Sequence, residues 1–455
     1  MENIRNYIFN SKLAAEKVED ICRQTLKDKY GDNPPALIVY RLLRELEIIS
    51  ENHYAQKYLL AMGIAGKSRK LGYMHILRAA GGSSFAAYLM KISSTNPLPP
   101  HYYCPVCKHV EFVDESKCYT GYDLIKDGKA CPVCGKTMMG DGHNIPYEIF
   151  LGLDGKKEPD FDFNVAAPVK PEIERYLQDV FGVNKVFYAG TENKMIHPGR
   201  IIICKPDVDI HELTEVEDRG GILMATVTDF HELDYNKYID IDILEFSKIA
   251  VIKQLEEATG IIAEDINADD INLSEFFESP DSSCLAFINN NESLPHLISE
   301  IRPDSFAAGL KILGLLHGTD VRDANGEVLL KDGHSTADIL AFRDDVMNYL
   351  LQHGIEREVA YSIMERTSEV AYSIMERTRK GALKRKTNKI SDSEAAILKE
   401  HNIPAWFMES INKISYLFPK AQDVEFGVMY LKLMYYSMNY PKEFQKVMDA
   451  ISVEN

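Results

Sequence analysis

Two short cysteine motifs constrain this chain more than any other feature of its sequence. Cys104-Pro-Val-Cys107 and Cys131-Pro-Val-Cys134 are separated by 23 residues. Each motif places two thiols on one tight turn, and two such turns can surround an ion with four sulfurs in a tetrahedron, an arrangement that suits zinc. Protein sulfurs then fill every coordination position. We therefore predict a structural, non-catalytic Zn²⁺ module over residues 101–135, with these four cysteines as its ligands.

The remaining cysteines do not extend this pattern. Cys118 lies between the two motifs without a partner at the same spacing, and Cys22, Cys204 and Cys284 stand in apolar contexts that are typical of small core residues. The sequence contains no run of 18 apolar residues, and its start, MENIR, lacks the basic and then apolar pattern of a secretory leader. We expect a cytoplasmic protein without membrane partners, whose thiols stay reduced.

The charge balance limits how the chain could meet a nucleic acid. Its 51 Lys and Arg stand against 69 Asp and Glu, a net charge of -18, so the molecule as a whole repels polyanions. One run, residues 377–389, carries seven basic and no acidic residues, among them Lys384 and Arg385. This run is the candidate phosphate-contacting segment. A solvated loop is the alternative.

An identical internal repeat precedes the basic run. Residues 358–367 recur as residues 369–378, a period of 11. Because eleven residues make close to three helical turns, the duplication would lengthen a helix without rotating its apolar face. We interpret it as a local duplication that helix geometry tolerates.

The pattern of apolar residues divides the chain into three parts. Residues 1–36 form a helical extension, residues 37–245 a mixed α/β unit and residues 246–455 a helical unit. Within the mixed unit, strand-like runs occur at 200–204, 222–227 and 238–244.

Acidic residues recur at alternate positions on two of the predicted strands. In Pro159-Asp160-Phe161-Asp162-Phe163 the two aspartates would share one face while the phenylalanines face the core. Two carboxylates on one face can hold the Mg²⁺ pair of phosphoryl or nucleotidyl transfer. A second pair, Asp240 and Asp242, could come beside the first through antiparallel pairing. An acidic surface strand is the alternative interpretation.

A series of short segments follows in a fixed order along residues 37–440. They are 82–85, 96–107, 141–148, 150–154, 159–162, 197–199, 229–231, 242–244, 317–321, 342–345 and 418–421. In this order they resemble the polymerase core of the bacterial DNA polymerase III alpha subunit of the PolC type.

The resemblance implies a fold and a site. The fold is an α/β (α+β) palm of the C-family, polymerase beta-like type with the four-cysteine zinc module embedded in it, followed by an all-helical fingers domain. The catalytic residues would be Asp160, Asp162 and Asp242 with Mg²⁺. The partners would be DNA, deoxynucleoside triphosphates and other replication proteins. The residues implied to contact nucleotide or DNA are Arg78, Ser83, Ser84, His317, Arg343, Lys384, Arg385 and Lys420.

The sequence also departs from the pattern it resembles. From the resemblance we expect the duplex-gripping thumb to be largely missing near residues 165–196, and we expect no exonuclease or phosphoesterase (PHP) segment before the core. Asp240 stands where a basic residue is expected, Glu245 where a glycine is expected, and Gln422 where a histidine is expected. The first two changes place negative charge beside a site that must attract a polyphosphate.

These observations leave three hypotheses. The first is a compact PolC-type polymerase that performs DNA-templated nucleotidyl transfer by a two-metal mechanism in replication. The second is a catalytically degenerate paralogue that binds DNA, nucleotide or a replication partner. The third is a zinc-stabilised α/β protein whose aspartates lie on its surface.

Overall fold

A computed structural model describes residues 4–114, 118–124, 128–190, 195–229, 237–288, 293–367 and 390–454. The second copy of the repeat and the whole basic run, including Lys384 and Arg385, lie outside these residues. Among the described helices, none combines the length and the hydropathy that spanning a bilayer requires.

In the described part of the chain, ten strands form two sheets. The strands are β1 (Ile76–Arg78), β2 (His101–Tyr103), β3 (Val110–Phe112), β4 (Met139–Asp141), β5 (Asp162–Val165), β6 (Val186–Gly190), β7 (Ile196–Cys204), β8 (Val216–Glu217), β9 (Met224–Asp229) and β10 (Tyr238–Glu245). The larger sheet has the order β1-β5-β10-β7-β6-β9-β8, and the smaller has the order β3-β2-β4. In the larger sheet β5 pairs with β10, and β6 with β9, in parallel, whereas its other pairs are antiparallel.

Helices precede, cover and follow these sheets. Those before β10 are Arg5–Ile8, Ser11–Tyr30, Ala36–Glu51, Ala55–Lys70, Phe85–Leu89, Glu148–Leu151 and Lys170–Phe181. Those after it are Ser247–Thr259, Leu273–Glu278, Ser282–Ile288, Ser293–Ile301, Phe306–His317, Glu327–Lys331, Arg343–Gln352, Arg357–Glu365, Asp392–Glu400, Ala405–Lys413, Lys420–Asn439 and Pro441–Glu454. No described strand follows residue 245, and the predicted mixed α/β class is confirmed.

The sequence of β10 explains its central position. Ile239, Ile241 and Ile243 alternate along the strand and are buried in the main apolar core. Asp240 and Asp242 alternate with them and face the opposite side of the sheet, since successive side chains of a strand point to opposite faces. The strand is therefore held by its isoleucines while it presents two carboxylates.

The N-terminal helices are part of the core. Asn10 caps helix Ser11–Tyr30 by accepting the Leu13 backbone N–H, and Val18 and Cys22 on this helix are fully buried. Residues 1–36, predicted as an extension, thus contribute helix Ser11–Tyr30 to the packing of the mixed unit.

The segment expected to carry the shortened thumb folds into the large sheet. Between β5 and β7 it forms helix Lys170–Phe181 and β6, and β6 pairs with both β7 and β9.

The smaller sheet carries the cysteine motifs and is fixed on two sides. Asp141, at the end of β4, accepts hydrogen bonds from Lys29 Nζ and Asn96 Nδ2, each at 2.8 Å. On the other side Asp123 accepts the backbone N–H groups of Phe306 and Ala307 at 2.7 and 3.0 Å. The loop between the two cysteine motifs therefore joins the mixed unit to the helical unit.

Candidate functional site

The four motif cysteines form one compact cluster. Cys104 Sγ lies 3.5 Å from Cys134 Sγ, and Cys107 Sγ lies 3.4 Å from Cys131 Sγ. All four sulfurs lie within 4.8 Å of one another. Such spacing suits a tetrahedral shell of four thiolates around one ion.

Local backbone geometry gathers these thiols. In the first motif the backbone N–H of Lys108 bonds the Cys104 carbonyl, and in the second the N–H of Gly135 bonds the Cys131 carbonyl. Lys108 and Gly135 both have positive φ, 66° and 72°. Each motif is therefore the same tight turn, and the pairing of β2 with β3 and β4 brings the two turns together.

The other cysteines lie apart from this cluster. Cys118 Sγ bonds the carbonyl of Thr120 at 3.0 Å, and it is not part of the four-sulfur group. Cys22, Cys204 and Cys284 are fully buried, as the sequence predicted.

The acidic strands meet in the larger sheet. Asp162 on β5 pairs in register with Asp242 on β10, and Arg78 on β1 pairs with Asp162 from the other side. The two strands run parallel, so the expected antiparallel pairing of Asp242 with the first aspartates is wrong. Asp160 lies just before β5, and its side chain is 49% exposed.

The paired aspartates carry buried oxygens that no protein group satisfies. Asp162 Oδ1 and Asp242 Oδ1 are both buried without a hydrogen-bond partner. Burial, and next the neighbouring carboxylates of Asp160 and Asp242, raise the pKa of Asp162 to about 8. Buried oxygens without partners are costly, and a cation would satisfy them.

A glycine makes room for one of these carboxylates. A Cβ on Gly199 would lie 2.0 Å from Asp242 Oδ1, so any side chain there would displace the carboxylate. A glycine at position 199 of β7 is thus required next to the acidic pair.

The three aspartates do not form a closed ligand group. Unlike the cysteines, Asp160, Asp162 and Asp242 do not all place an oxygen within 4.8 Å of one another. Asp160 instead bonds Arg200, with Oδ1 3.0 Å from Nη1 and Oδ2 3.4 Å from Nη2.

The negative charge expected from Asp240 is neutralised. Its carboxylate receives Lys57 Nζ at 2.8 Å and Arg200 Nη1 at 2.6 Å. Burial alone would raise the pKa of Asp240, but these two cations outweigh burial and hold the pKa below its ordinary value. Asp240 therefore adds little repulsion toward a polyphosphate.

A cleft of about 320 Å³ opens beside the acidic pair and separates the sheet from the helical unit. On the sheet side it is lined by Arg78, Asp160 and Asp162. On the helical side its wall includes Arg343 and Tyr416. The cleft thus brings four predicted site residues from distant segments to one space: Arg78, Asp160, Asp162 and Arg343. Asp242 does not line it.

Hydrogen bonds to neighbouring residues of the helical unit fix the orientation of Arg343. Its Nε donates to the Leu417 carbonyl and its Nη2 to the Tyr416 hydroxyl, both at 2.8 Å. Arg78 reaches toward the acidic pair, with Nη2 3.7 Å from Asp242 Oδ2.

Other predicted contact residues do not line this cleft. Ser84 is fully buried, caps helix Phe85–Leu89 and donates to Glu45 at 2.7 Å, and the neighbouring Ser83 is also fully buried. His317 Nδ1 lies 2.7 Å from Asp423 Oδ1. Burial alone would lower the pKa of His317, but Asp423 outweighs it and raises the pKa.

Lys420 is buried in the interface between the two units. Its Nζ donates to the carbonyls of Tyr119 and His143, at 3.0 and 2.7 Å, and only 1% of its surface is exposed. Burial lowers the pKa of Lys420 to about 8. Lys420 therefore binds the loop of the cysteine module and does not line the cleft.

Sequence reasoning missed three residues at this site, Lys57, Arg200 and Tyr416. Gln422, noted in the sequence as a departure, accepts the Ala79 backbone N–H through Oε1 at 3.0 Å. The unexpected acid at position 240 was the only available signal, because a buried carboxylate requires a nearby cation.

Comparison with known proteins gives the relationships of the chain. Residues 16–202 match the family described as the bacterial DNA polymerase III alpha NTPase domain. The chain is 32% identical over 489 aligned positions to the PolC-type DNA polymerase III of Caldanaerobacter subterraneus subsp. tengcongensis, covering 95% of this chain and 34% of that protein. It is 30% identical to that of Staphylococcus saprophyticus, covering 96% and 33%.

A third relative gives the same result. The PolC-type DNA polymerase III of Clostridium perfringens is 30% identical over 95% of this chain and 32% of its own length. The chain therefore spans about one third of the relatives that it matches. The resemblance predicted from the ordered segments is confirmed: nearly the whole chain is similar to one part of a PolC-type DNA polymerase III.

Proposed function

We propose that this chain is a palm and fingers core that performs DNA-templated nucleotidyl transfer. Residues 37–245 would be the palm, and residues 246–455 the fingers. The observation that carries the proposal is the in-register parallel pairing of Asp162 with Asp242, with one buried, unpartnered oxygen on each, at the edge of a cleft.

The residues present fit a divalent cation. Asp162 and Asp242 offer hard oxygen ligands that the protein leaves unsatisfied, and Asp160 is close enough to Asp162 to raise its pKa. Magnesium held there would activate a primer 3′-hydroxyl and stabilise the pyrophosphate leaving group. Asp162 would bind the ion in its ionised form, so its proton must leave when the ion arrives.

The walls of the cleft fit the rest of a nucleotide. Arg78 and Arg343 lie on opposite sides and supply guanidinium donors that suit phosphate oxygens. Tyr416 and Phe418 add aromatic faces near Arg343, on which a base could stack. The cleft would thus hold phosphates toward the sheet and a base toward the helical wall.

The four cysteines would bind a structural Zn²⁺. Their closed arrangement leaves no position for a substrate, so the ion would stabilise the smaller sheet and its loop to the helical unit. DNA and deoxynucleoside triphosphates would be the partners of the cleft, while Lys384 and Arg385 remain candidate phosphate contacts.

Primer extension tests the proposal directly. A short primed template, the four deoxynucleotides and Mg²⁺ or Mn²⁺ would be incubated with the chain and with Asp160→Asn/Asp162→Asn. We expect incorporation that the double substitution lowers at least about a thousandfold, since both substitutions remove charged metal ligands. Glu245→Gln, which removes an exposed carboxylate from the end of β10, is the matched control and should retain activity.

A second function is favoured by specific contacts. Asp160 is held by Arg200, and Ser83, Ser84 and Lys420 are buried outside the cleft. These contacts are compatible with a degenerate paralogue that binds primed DNA without turnover. Primed-DNA binding by a folded, zinc-loaded chain that incorporates no nucleotide with either cation would select this function and contradict the first.

A further inference from the structure

We propose that Arg200 is a positioning residue that holds Asp160 in the metal-free protein and competes with the divalent cation for it. This inference rests on the proposed function, because it takes Asp160 to be a metal ligand. Arg200 would also supply the cation that position 240 lacks.

The contacts of Arg200 are specific. Its guanidinium meets both carboxylate oxygens of Asp160, at 3.0 and 3.4 Å, and one oxygen of Asp240 at 2.6 Å. The Arg200 side chain is only 12% exposed, whereas that of Asp160 is 49% exposed. A half-exposed carboxylate is thus tied to a largely buried cation, which fixes where it points.

Sheet register places Arg200 at this point. Arg200 on β7 pairs directly with Asp242 on β10, so the two side chains share one face of the sheet. Asp240 lies two residues before Asp242 on the same face and is the diagonal neighbour of Arg200. A cation at position 200 therefore reaches the same space as one at position 240.

The acid at position 240 completes the arrangement. Lys57 pairs with Asp240 and Glu158, each at 2.8 Å, and Asp240 in turn anchors Arg200. Because an arginine guanidinium is not deprotonated in proteins, Arg200 remains a cation beside Asp160.

The contact between Arg200 and Asp160 should weaken the binding of a metal ion. Asp160 cannot give both oxygens to Arg200 and also coordinate an ion fully. The three aspartates are not gathered within 4.8 Å in the presence of this contact, which agrees with competition. Removing the guanidinium should release Asp160 to the ion and strengthen cation binding.

Mn²⁺ binding to the full chain, followed by electron paramagnetic resonance without DNA or nucleotide, tests the inference. Arg200→Gln should bind Mn²⁺ about tenfold more tightly than the unmodified chain, since one charge-assisted contact no longer opposes the ion. Arg200→Lys keeps the charge but loses the two-oxygen contact, so its affinity should lie between those of the other two forms.

Lys57→Gln is the matched control, because it removes one positive charge from the same cluster. If it tightens Mn²⁺ binding as much as Arg200→Gln, the effect is one of general charge and the inference is wrong. Equal or weaker binding by Arg200→Gln would also overturn it.

The two proposals can be told apart. If primer extension succeeds while the unmodified chain and Arg200→Gln bind Mn²⁺ with equal affinity, the proposed role of Arg200 is wrong and the proposed function stands. If neither the chain nor any variant binds Mn²⁺, the proposed function fails with it.

Discussion

The cysteine cluster and the aspartate pair are both candidate metal sites, yet the chain builds them in opposite ways. The sulfurs lie 3.4 to 3.5 Å apart in pairs and come from two short turns within about thirty residues. The aspartates come from segments that are eighty residues apart, and a guanidinium holds one of them away from the others. The cysteine site is thus gathered before any ion arrives, whereas the aspartate site must be gathered by the ion.

The difference separates a site that would stabilise the fold from a site that would bind a ligand. A closed structural site contributes its binding free energy to folding. An open site with like charges costs free energy until its ligand binds, and its raised pKa reports that cost. Substitutions at the cysteines should therefore lower the stability of the zinc-bound protein, whereas substitutions at the aspartates should raise that of the magnesium-free protein.

The largest effect is expected at the cysteines. Cys104→Ser should release zinc and lower the free energy of unfolding by several kcal/mol, because three remaining ligands cannot close the shell. Metal analysis and urea unfolding would measure both changes. Cys118→Ser, in the loop between the two motifs, is the control and should keep the zinc. Unchanged zinc content in Cys104→Ser would show that Cys104 is not a zinc ligand, and the comparison of the cysteine site with the aspartate site would fail.

The next effect is a dependence of stability on pH at the aspartates. The pKa of Asp162 is about 8 in the fold, above the value near 4 expected in an unfolded chain. The folded protein therefore binds the extra proton, so the contribution of Asp162 to stability should fall as the pH rises from about 4 to about 8. The buried His75 and His143, whose pKa values burial lowers, act in the opposite direction. Urea unfolding in magnesium-free, zinc-retaining buffers should therefore show the fall, a few kcal/mol, as the difference between the unmodified chain and Asp162→Asn.

Asp162→Asn should lack this contribution, because the amide has no proton to lose. Added Mg²⁺ should reverse the trend for the unmodified chain, as the ion favours the ionised carboxylate. If the stability of the unmodified chain did not fall relative to that of Asp162→Asn between pH 5 and pH 8 without magnesium, the opposition between the two sites would be contradicted.

These two sites also differ in how much the sequence could predict. The cysteine cluster follows from spacing alone, because each turn is local and leaves a fixed signature. Strands β7, β9 and β10 were predicted within a few residues for the same reason, since their alternation is local. The family resemblance implied Asp160, Asp162 and Asp242 as one group. In the structure Asp162 pairs with Asp242, and Asp160 and Asp162 line the cleft.

What the sequence could not predict depends on contacts between distant segments. The parallel pairing of β5 with β10 was expected to be antiparallel, since strand direction is a property of the whole sheet. Arg200 belongs to no motif and becomes important only because register sets it beside Asp242. Ser84 was predicted at the cleft but caps a helix, and its burial is decided by tertiary packing.

A smaller effect is expected at Lys420, which distinguishes a phosphate contact from a structural one. Lys420→Gln should lower the free energy of unfolding by about 2 kcal/mol, because the carbonyls of Tyr119 and His143 lose a buried charged donor. Thermal unfolding would measure this, with the exposed Lys413→Gln as control. A loss of DNA affinity at unchanged stability would show that Lys420 belongs to the cleft instead of the cysteine module.

The smallest effect is expected where the cysteine module meets the helical unit. Asp123 caps helix Phe306–His317 through two backbone N–H groups, so Asp123→Ala should cost about 1 kcal/mol. Hydrogen exchange of the Phe306 and Ala307 amides should rise, while zinc content and Mn²⁺ affinity stay constant. The cysteine site would then act on the cleft only by bracing the wall opposite the aspartates. If Mn²⁺ affinity changed with the cap, the two sites would be coupled through the loop, and the contrast between a closed structural centre and an independent open one would no longer hold.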